Sequence, residues 1–328
     1  LRLWVPVSSA PLSSPVLLFQ HGFAAKTHFY SQLLSRIASH GFIVVAPQMY
    51  PFIGRSNTRP EMRGSVRVIT WMRKNLATWL QQKKQRRPVS QSKQQLQPIS
   101  FSPPSSSSSP PPFNVPSPST SSPKNASPTA TYPFRNTSPD WSKFVISGHS
   151  VGGKVAFGVA RNIVSPSSPV PISALLLFDP SDGTSNTSKN VPPVLVHRPN
   201  SLVLSVPALI VGSGLGPIPK APGLPACPPK YFGHKTFFSD LVGPAYYFVV
   251  PEYGHLDFYD KRIGIWGALG EVACRRGPAK RPMHVAASGI GVAFLKATVQ
   301  GDSANLDDIL SNPIHSPVWL AAPQSKGV

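Results

Sequence analysis

Six short runs of the chain, residues 16–20, 42–46, 144–147, 174–178, 208–212 and 246–250, are continuously apolar instead of alternating apolar with polar residues. A strand of that kind is buried on both faces, which is the signature of a parallel sheet. Amphipathic stretches sit between several of these runs. Residues 31–37 place apolar side chains at helical spacing, 65–80 put Val66, Val68, Ile69, Met72 and Leu76 largely on one side, and 155–163 and 285–299 behave alike. Strand followed by helix, repeated, predicts a mostly parallel central sheet with helices on both faces, so the fold class is α/β.

The pattern breaks between the second and third runs. Residues 81–87 are rich in Gln, Lys and Arg, and 100–140 are dominated by Ser and Pro, including the serine run 105–109 and the proline run 110–112. So few large apolar side chains cannot offset the entropy of ordering the segment. The composition predicts one catalytic domain built from 1–81 and 141–300, a disordered insertion at 82–140, and a C-terminal tail at 301–328 without strong periodicity. Residues 180–207 are a second, weaker loop-like stretch. The 40 prolines of the 328-residue chain are well over twice the roughly 5% expected, and they are densest in the insertion.

Thirty-two Lys and Arg against 12 Asp and Glu give a formal charge of +20. Seven basic residues against Asp140 within 81–140 put +6 there and leave +14 elsewhere. Such a surplus speaks to partners and not to fold. No nucleic-acid-binding motif accompanies it, so nucleic acid is not an expected partner and contact with an anionic membrane surface is. No apolar run approaches the roughly 18 residues of a membrane span. The two cysteines, Cys227 and Cys274, exclude a disulfide scaffold and a four-sulfur zinc site, and allow at most one bridge. No histidine, cysteine or carboxylate cluster has metal-ligand spacing. Asn125, Asn136 and Asn186 begin N-x-S sequons. The chain begins at Leu1, so a targeting segment is not available to be read.

Gly148-His149-Ser150-Val151-Gly152 matches G-x-S-x-G and lies between an apolar run and an amphipathic one. That is the strand–turn–helix setting of a nucleophile elbow, where glycines two before and two after the serine avoid clashes in a tight turn. A serine hydroxyl needs a base at neutral pH. His255, in Tyr253-Gly254-His255-Leu256-Asp257, follows the last apolar run and has the chain order expected of the base. His149 points away from the reacting face in such a turn and reads as structural, and His28, His40, His197, His234, His284 and His315 read as surface or core residues.

The third member is less direct. The stretch after the 208–212 run, Val211-Gly212-Ser213-Gly214-Leu215-Gly216, offers no carboxylate, whereas the preceding run ends in Asp179-Pro180. Asp179 is the choice to orient the imidazole, Asp182 the alternative, and Asp257 is too near His255 in sequence. Gln20-His21-Gly22-Phe23 after the first run reads as an oxyanion turn, with the N–H groups of Phe23 and Val151 as donors. This chemistry needs no cofactor and no metal. It predicts an α/β-hydrolase fold and a serine hydrolase.

Residues 16–23 and 31–48, the elbow, Asp179-Pro180-Ser181-Asp182-Gly183, Tyr253-Gly254-His255-Leu256-Asp257 and Val292-Ala293-Phe294-Leu295-Lys296-Ala297 together resemble plant chlorophyllase. The resemblance implies cleavage of the phytyl ester of chlorophyll to chlorophyllide and phytol, with the triad on Ser150, Asp179 and His255. It also implies a phytylated pigment as substrate and a chloroplast location. Two departures stand out: Val151 replaces an arginine usual in that family's elbow, and the insertion is unusual. Rival readings are an esterase or lipase on another hydrophobic ester, and a catalytically silent pigment-binding protein of the same fold.

Overall fold

Each continuously apolar run forms a strand, and a computed structural model describes residues 1–7, 12–50, 57–85, 137–183, 191–260 and 272–328, the side chains of 83–85 excepted. In chain order the regular elements are β1 (Arg2–Trp4), β2 (Leu12–Gln20), α1 (Ser31–Ser39), β3 (Ile43–Ala46), α2 (Arg59–Gln85) and β4 (Thr137–His149). They continue as α3 (Val151–Ala160), β5 (Ile172–Phe178), β6 (Ala208–Ser213), α4 (His234–Asp240), β7 (Ala245–Val250), α5 (Lys280–Leu295), α6 (Ala304–Ser311) and β8 (Gln324–Lys326).

The eight strands form one sheet in the order β1-β3-β2-β4-β5-β6-β7-β8. The six inner strands are parallel, and the edge strands β1 and β8 run antiparallel to β3 and β7. Two cores result. Leu17, Phe19, Val145, Leu176 and Phe178 face α1 and α5, whereas Val16, Leu18, Ile146, Leu175 and Leu177 face α2, α3 and α4. The period-2 alternation of side chains therefore buries every inner strand twice, which is why these runs are apolar throughout.

From β2 the chain moves outward to β3, then returns past β2 to β4 and proceeds the other way. The strand order thus reverses between β2 and β4, and ligand crevices in open α/β sheets form outside the carboxyl ends of the strands at such a point. The turn at Gly22 leaves β2 there, and the turn at Ser150 leaves β4.

Several boundaries differ from the composition-based expectation. Gln81 to Gln85 continue α2, because Gln and Lys are good helix formers. Thr137 to Asp140 pair with Leu12 to Pro15 and extend β4. Both ends of the expected 82–140 insertion are therefore regular structure, and residues 86–136, with the sequons at Asn125 and Asn136, lie outside the described residues, as does Asn186. The 301–328 segment contributes α6, whose Leu306 is buried, and β8 at the sheet edge. These pieces and α4 are too short to show periodicity. Among the described residues one helical stretch, Lys280–Gln300, is long and apolar enough to cross a membrane, although no single apolar run there suggested it. Two-thirds of its window is buried, and Met283, Ala287, Ile290 and Phe294 pack into the first core, so it is a core helix. Cys227 and Cys274 are joined in a disulfide with Cα atoms 5.6 Å apart, tying the loop after β6 to the segment after β7.

Leu176→Ala and Leu177→Ala, on opposite faces of β5, should each lower the unfolding free energy by about 2–5 kcal/mol in urea titrations. A sheet with one solvated face would show the loss for only one of them.

Candidate active site

β4 delivers Ser150 at its carboxyl end with φ 58° and ψ −128°, a backbone conformation that costs an L-residue of order 1–3 kcal/mol. The surroundings hold it. The Ser150 N–H donates to the Phe178 carbonyl at 3.1 Å, and the Ser150 carbonyl accepts from Ser181 N–H at 3.1 Å and Lys154 N–H at 3.2 Å. A Cβ on Gly152 would strike the carbonyls of Gln20 and His21, and one on Gly148 would strike the backbone of Gly152. Glycine at both places is what lets α3 leave the strand so abruptly.

From this turn the Ser150 hydroxyl lies 2.8 Å from Nε2 of His255, and Nδ1 of His255 lies 2.7 Å from Oδ2 of Asp179. His255 opens a 3₁₀ turn, His255–Phe258, after the short loop 251–254 that follows β7. Asp179 follows β5 with φ 41°, its N–H donating to the Val211 carbonyl at 2.7 Å, so its side chain reaches across the end of β6 toward His255. All three side chains are buried. Burial by itself would raise the Asp179 carboxyl, but the hydrogen bond and charge of His255, the nearby His234 and the Ser213 hydroxyl outweigh it and hold it at about 2. Asp179 is accordingly ionised at neutral pH, the state that supports an imidazolium.

The other two carboxylates have different work. Asp182 pairs with Lys154 at 2.8 Å, both buried, and accepts the N–H groups of Val194 and Leu195. It fastens the loop after β5 to the elbow helix. Asp257 accepts the N–H groups of Gly254 at 2.8 Å and Gly277 at 2.6 Å, closing the turn that carries His255.

The turn after β2 abuts the nucleophile: a Cβ on Gly22 would lie 3.1 Å from Cβ of Ser150. Its shape is fixed by buried donors. Gly22 N–H donates to Tyr30 Oη at 2.9 Å, and Tyr50 Oη–H donates to the Gly22 carbonyl at 2.9 Å. Burial holds His21 at about 4 against the hydrogen bond from its ring to the Gly22 carbonyl, so it is neutral and its Nε2 accepts the Met49 N–H at 2.9 Å. Tyr30 Oη also meets Nδ1 of His149 at 3.0 Å, and Nε2 of His149 meets the His255 carbonyl at 3.0 Å. Burial, then the neighbouring His255, push His149 well below its ordinary value. A neutral His149 accepting from Tyr30 and donating to His255 therefore links the Gly22 turn to His255.

The structure thus brings Ser150, Asp179, His255 and the Gly22–Phe23 turn to one place, and puts Val151 at the first position of α3. It gives Asp182 and Asp257 other partners. His40, His197 and His315 are exposed, His28 is half-buried, and His284 is buried on α5. Sequence reasoning missed Tyr30, Ser213, His234 and Tyr247 as parts of the site. Only tertiary contact connects them, and the sequence carries no signal for it. Among the described residues no group of three or more His, Cys, Asp or Glu is placed to hold a metal ion. A strained serine with a base and a buried acid in line is an arrangement for nucleophilic acyl transfer.

A family model described as Chlorophyllase matches residues 3–95 and 128–326. Chlorophyllase-2 of Arabidopsis thaliana is 34% identical over 294 residues, covering 89% of this chain and 76% of that protein. Chlorophyllase-1 of the same plant is 30% identical over 309 residues, 93% and 78% of the two chains. Chlorophyllase-1, chloroplastic, of Citrus unshiu is 30% identical over 310 residues, 93% and 74%. Among solved structures, a ferulic acid esterase from Streptomyces cinnamoneus aligns over 95% of this chain and 74% of that one, at 18% identity and a TM-score of 0.48.

Two substitutions separate the carboxylates. Asp179→Asn should leave the chain folded and reduce kcat on a chromogenic ester by about 10⁴-fold, by favouring the wrong imidazole tautomer. Asp182→Asn should lower the unfolding free energy by about 3–5 kcal/mol, with kcat of the folded fraction within a few-fold. The reverse pattern would move the acid to Asp182.

Proposed function

Because the chain belongs to the chlorophyllase family and is thereby a serine carboxylic-ester hydrolase, we propose that it cleaves the phytyl ester of chlorophyll to chlorophyllide and phytol. The observation that carries this reading is the unbroken hydrogen-bonded line Ser150–His255–Asp179 at the sheet's reversal point.

Nε2 of His255 takes the Ser150 proton as Oγ attacks the propionate carbonyl of the pigment. The oxyanion that forms accepts from the N–H groups of Phe23 and Val151. The Phe23 amide sits on the turn that abuts Ser150, and Val151 opens α3, where the helix dipole favours negative charge. His255 returns its proton to the departing phytol oxygen, leaving the pigment acid esterified to Ser150. Water, deprotonated by His255, attacks that ester and releases chlorophyllide. Asp179, held ionised, stabilises the imidazolium in both halves. The replacement of the family's elbow arginine by Val151 leaves this scheme intact, since only the backbone donor enters it.

The relatives from Citrus carry the label chloroplastic, and the chloroplast is the location we assign. We also propose that the site's rim rests on an anionic membrane surface. Phe23, Ile218, Tyr231 and Val272 are exposed on loops that leave the carboxyl ends of β2, β6 and β7. Exposed Lys26, Lys220, Lys230, Arg275 and Arg276 lie on the same loops, against exposed Glu252. Apolar tips among cations suit a surface of acidic headgroups over acyl chains.

Ser150→Ala should reduce turnover of chlorophyll by roughly 10⁶-fold, and near-normal turnover would sink the assignment. Parallel assays on chlorophyll a, pheophytin and p-nitrophenyl esters should show the phytylated pigments favoured in kcat/KM. Preference for the simple esters would favour a general esterase. Co-sedimentation with phosphatidylglycerol-containing vesicles should weaken as salt rises, and retention independent of salt would refute the electrostatic part of the docking.

A further inference from the structure

We propose that Ser213 is a positioning residue that orients the Asp179 carboxylate and moderates its pull on His255, itself held by a His234–Tyr247 pair. The inference rests on the triad reading above and adds a group outside it.

β6 ends at Ser213, fully buried beside β5. Its N–H donates to Oδ1 of Asp179 at 3.0 Å and its hydroxyl to Oδ2 at 2.5 Å. One residue therefore grips both carboxylate oxygens. Oδ2 is also the oxygen that accepts Nδ1–H of His255, so the serine hydroxyl and the imidazole share an acceptor. Asp179 needs such a grip, because it reaches its partner from β5 across the end of β6 and does so from a backbone at φ 41°. The segment that lacks a carboxylate after β6 supplies a donor to the carboxylate of its neighbour instead.

Ser213 is itself fixed from the far side. Nε2 of His234, on α4, lies 3.1 Å from the Ser213 carbonyl, and Nδ1 lies 2.7 Å from Oη of Tyr247 on β7. Burial lowers His234 despite Asp179 nearby. In its neutral form it donates from Nε2 to Ser213 and accepts the Tyr247 proton at Nδ1. The same Nε2 stands 3.8 Å from Oδ1 of Asp179. The other titratable ring against the pair is His149, 4.6 Å centroid to centroid from His255 and likewise neutral. Lys235, next to His234 on α4, is the charged group that acts on that ring besides Asp179, and the hydrogen bonds made directly to the Asp179 oxygens govern how strongly the carboxylate draws the His255 proton.

Loss of the hydroxyl frees electron density on Oδ2, which strengthens the attraction to the imidazolium and makes His255 harder to deprotonate. Ser213→Ala in the full chain, assayed on a water-soluble p-nitrophenyl ester, should lower kcat about tenfold with KM within about twofold. The acid limb of kcat/KM should move to higher pH, and the low-field proton NMR resonance of His255 Nδ1–H should shift. If Ser213→Ala does not fold, Tyr247→Phe removes the outer bond of the same chain and should move the acid limb in the same direction by less. An unchanged acid limb and an unshifted resonance in the folded variant overturn the inference. Retained turnover in a Ser150→Ala control overturns the triad reading and this inference with it, so the two failures are distinguishable.

Discussion

The close crossing of three backbones at Ser150 is the constraint on which the rest of the molecule depends. α3 leaves β4 within one residue, and it does so under the carbonyls of β2's end, with no space for a side chain at Gly152. The unfavourable φ of Ser150 persists because its N–H is bonded to the last residue of β5 and its carbonyl to the loop that follows. Strain of this kind survives only where surrounding structure over-determines it. Here the surroundings are two hydrophobic cores on opposite faces of the sheet, which hold β2, β4 and β5 in register. Stability and chemistry therefore meet at one turn.

Burial then sets the protonation of two histidines around the turn. His21 and His149 are kept neutral by desolvation, which makes each a donor on one side and an acceptor on the other. Through Tyr30 the resulting chain runs from Gly22 of the oxyanion turn to the carbonyl of His255. A charged imidazole at position 149 would repel the imidazolium that His255 becomes. Asp179 is the exception, ionised despite full burial because several donors converge on it. One carboxylate among neutral rings gives the base a single direction in which to be stabilised.

Much of this was legible in the chain. The doubly buried strands at 16–20, 144–147 and 174–178 announced themselves because such strands must be apolar at every position. The elbow announced itself because two glycines and a serine at fixed spacing answer a steric demand. His255 followed from chain order, and the end of the 174–178 run narrowed the acid to Asp179 with Asp182 as the alternative. The roles of Ser213, Tyr30 and Tyr247 were invisible, since a hydroxyl's partner depends on which strands lie side by side. The edge strand β8 and the helix α6 were missed because three and eight residues carry too little periodicity.

The sequence alone determined the α/β class, the strand–turn–helix setting of Ser150 and the family resemblance, because these rest on local sterics and on apolar patterning that any fold must respect. Tertiary structure decided which of Asp179 and Asp182 faces His255. Both lie near the end of β5, and only the sheet order, which sets β6 between β5 and β7, gives Asp179 a bridge at Ser213 and leaves Asp182 to Lys154. A carboxylate's work here follows from what it is buried against, and that is a property of packing, not of position along the chain.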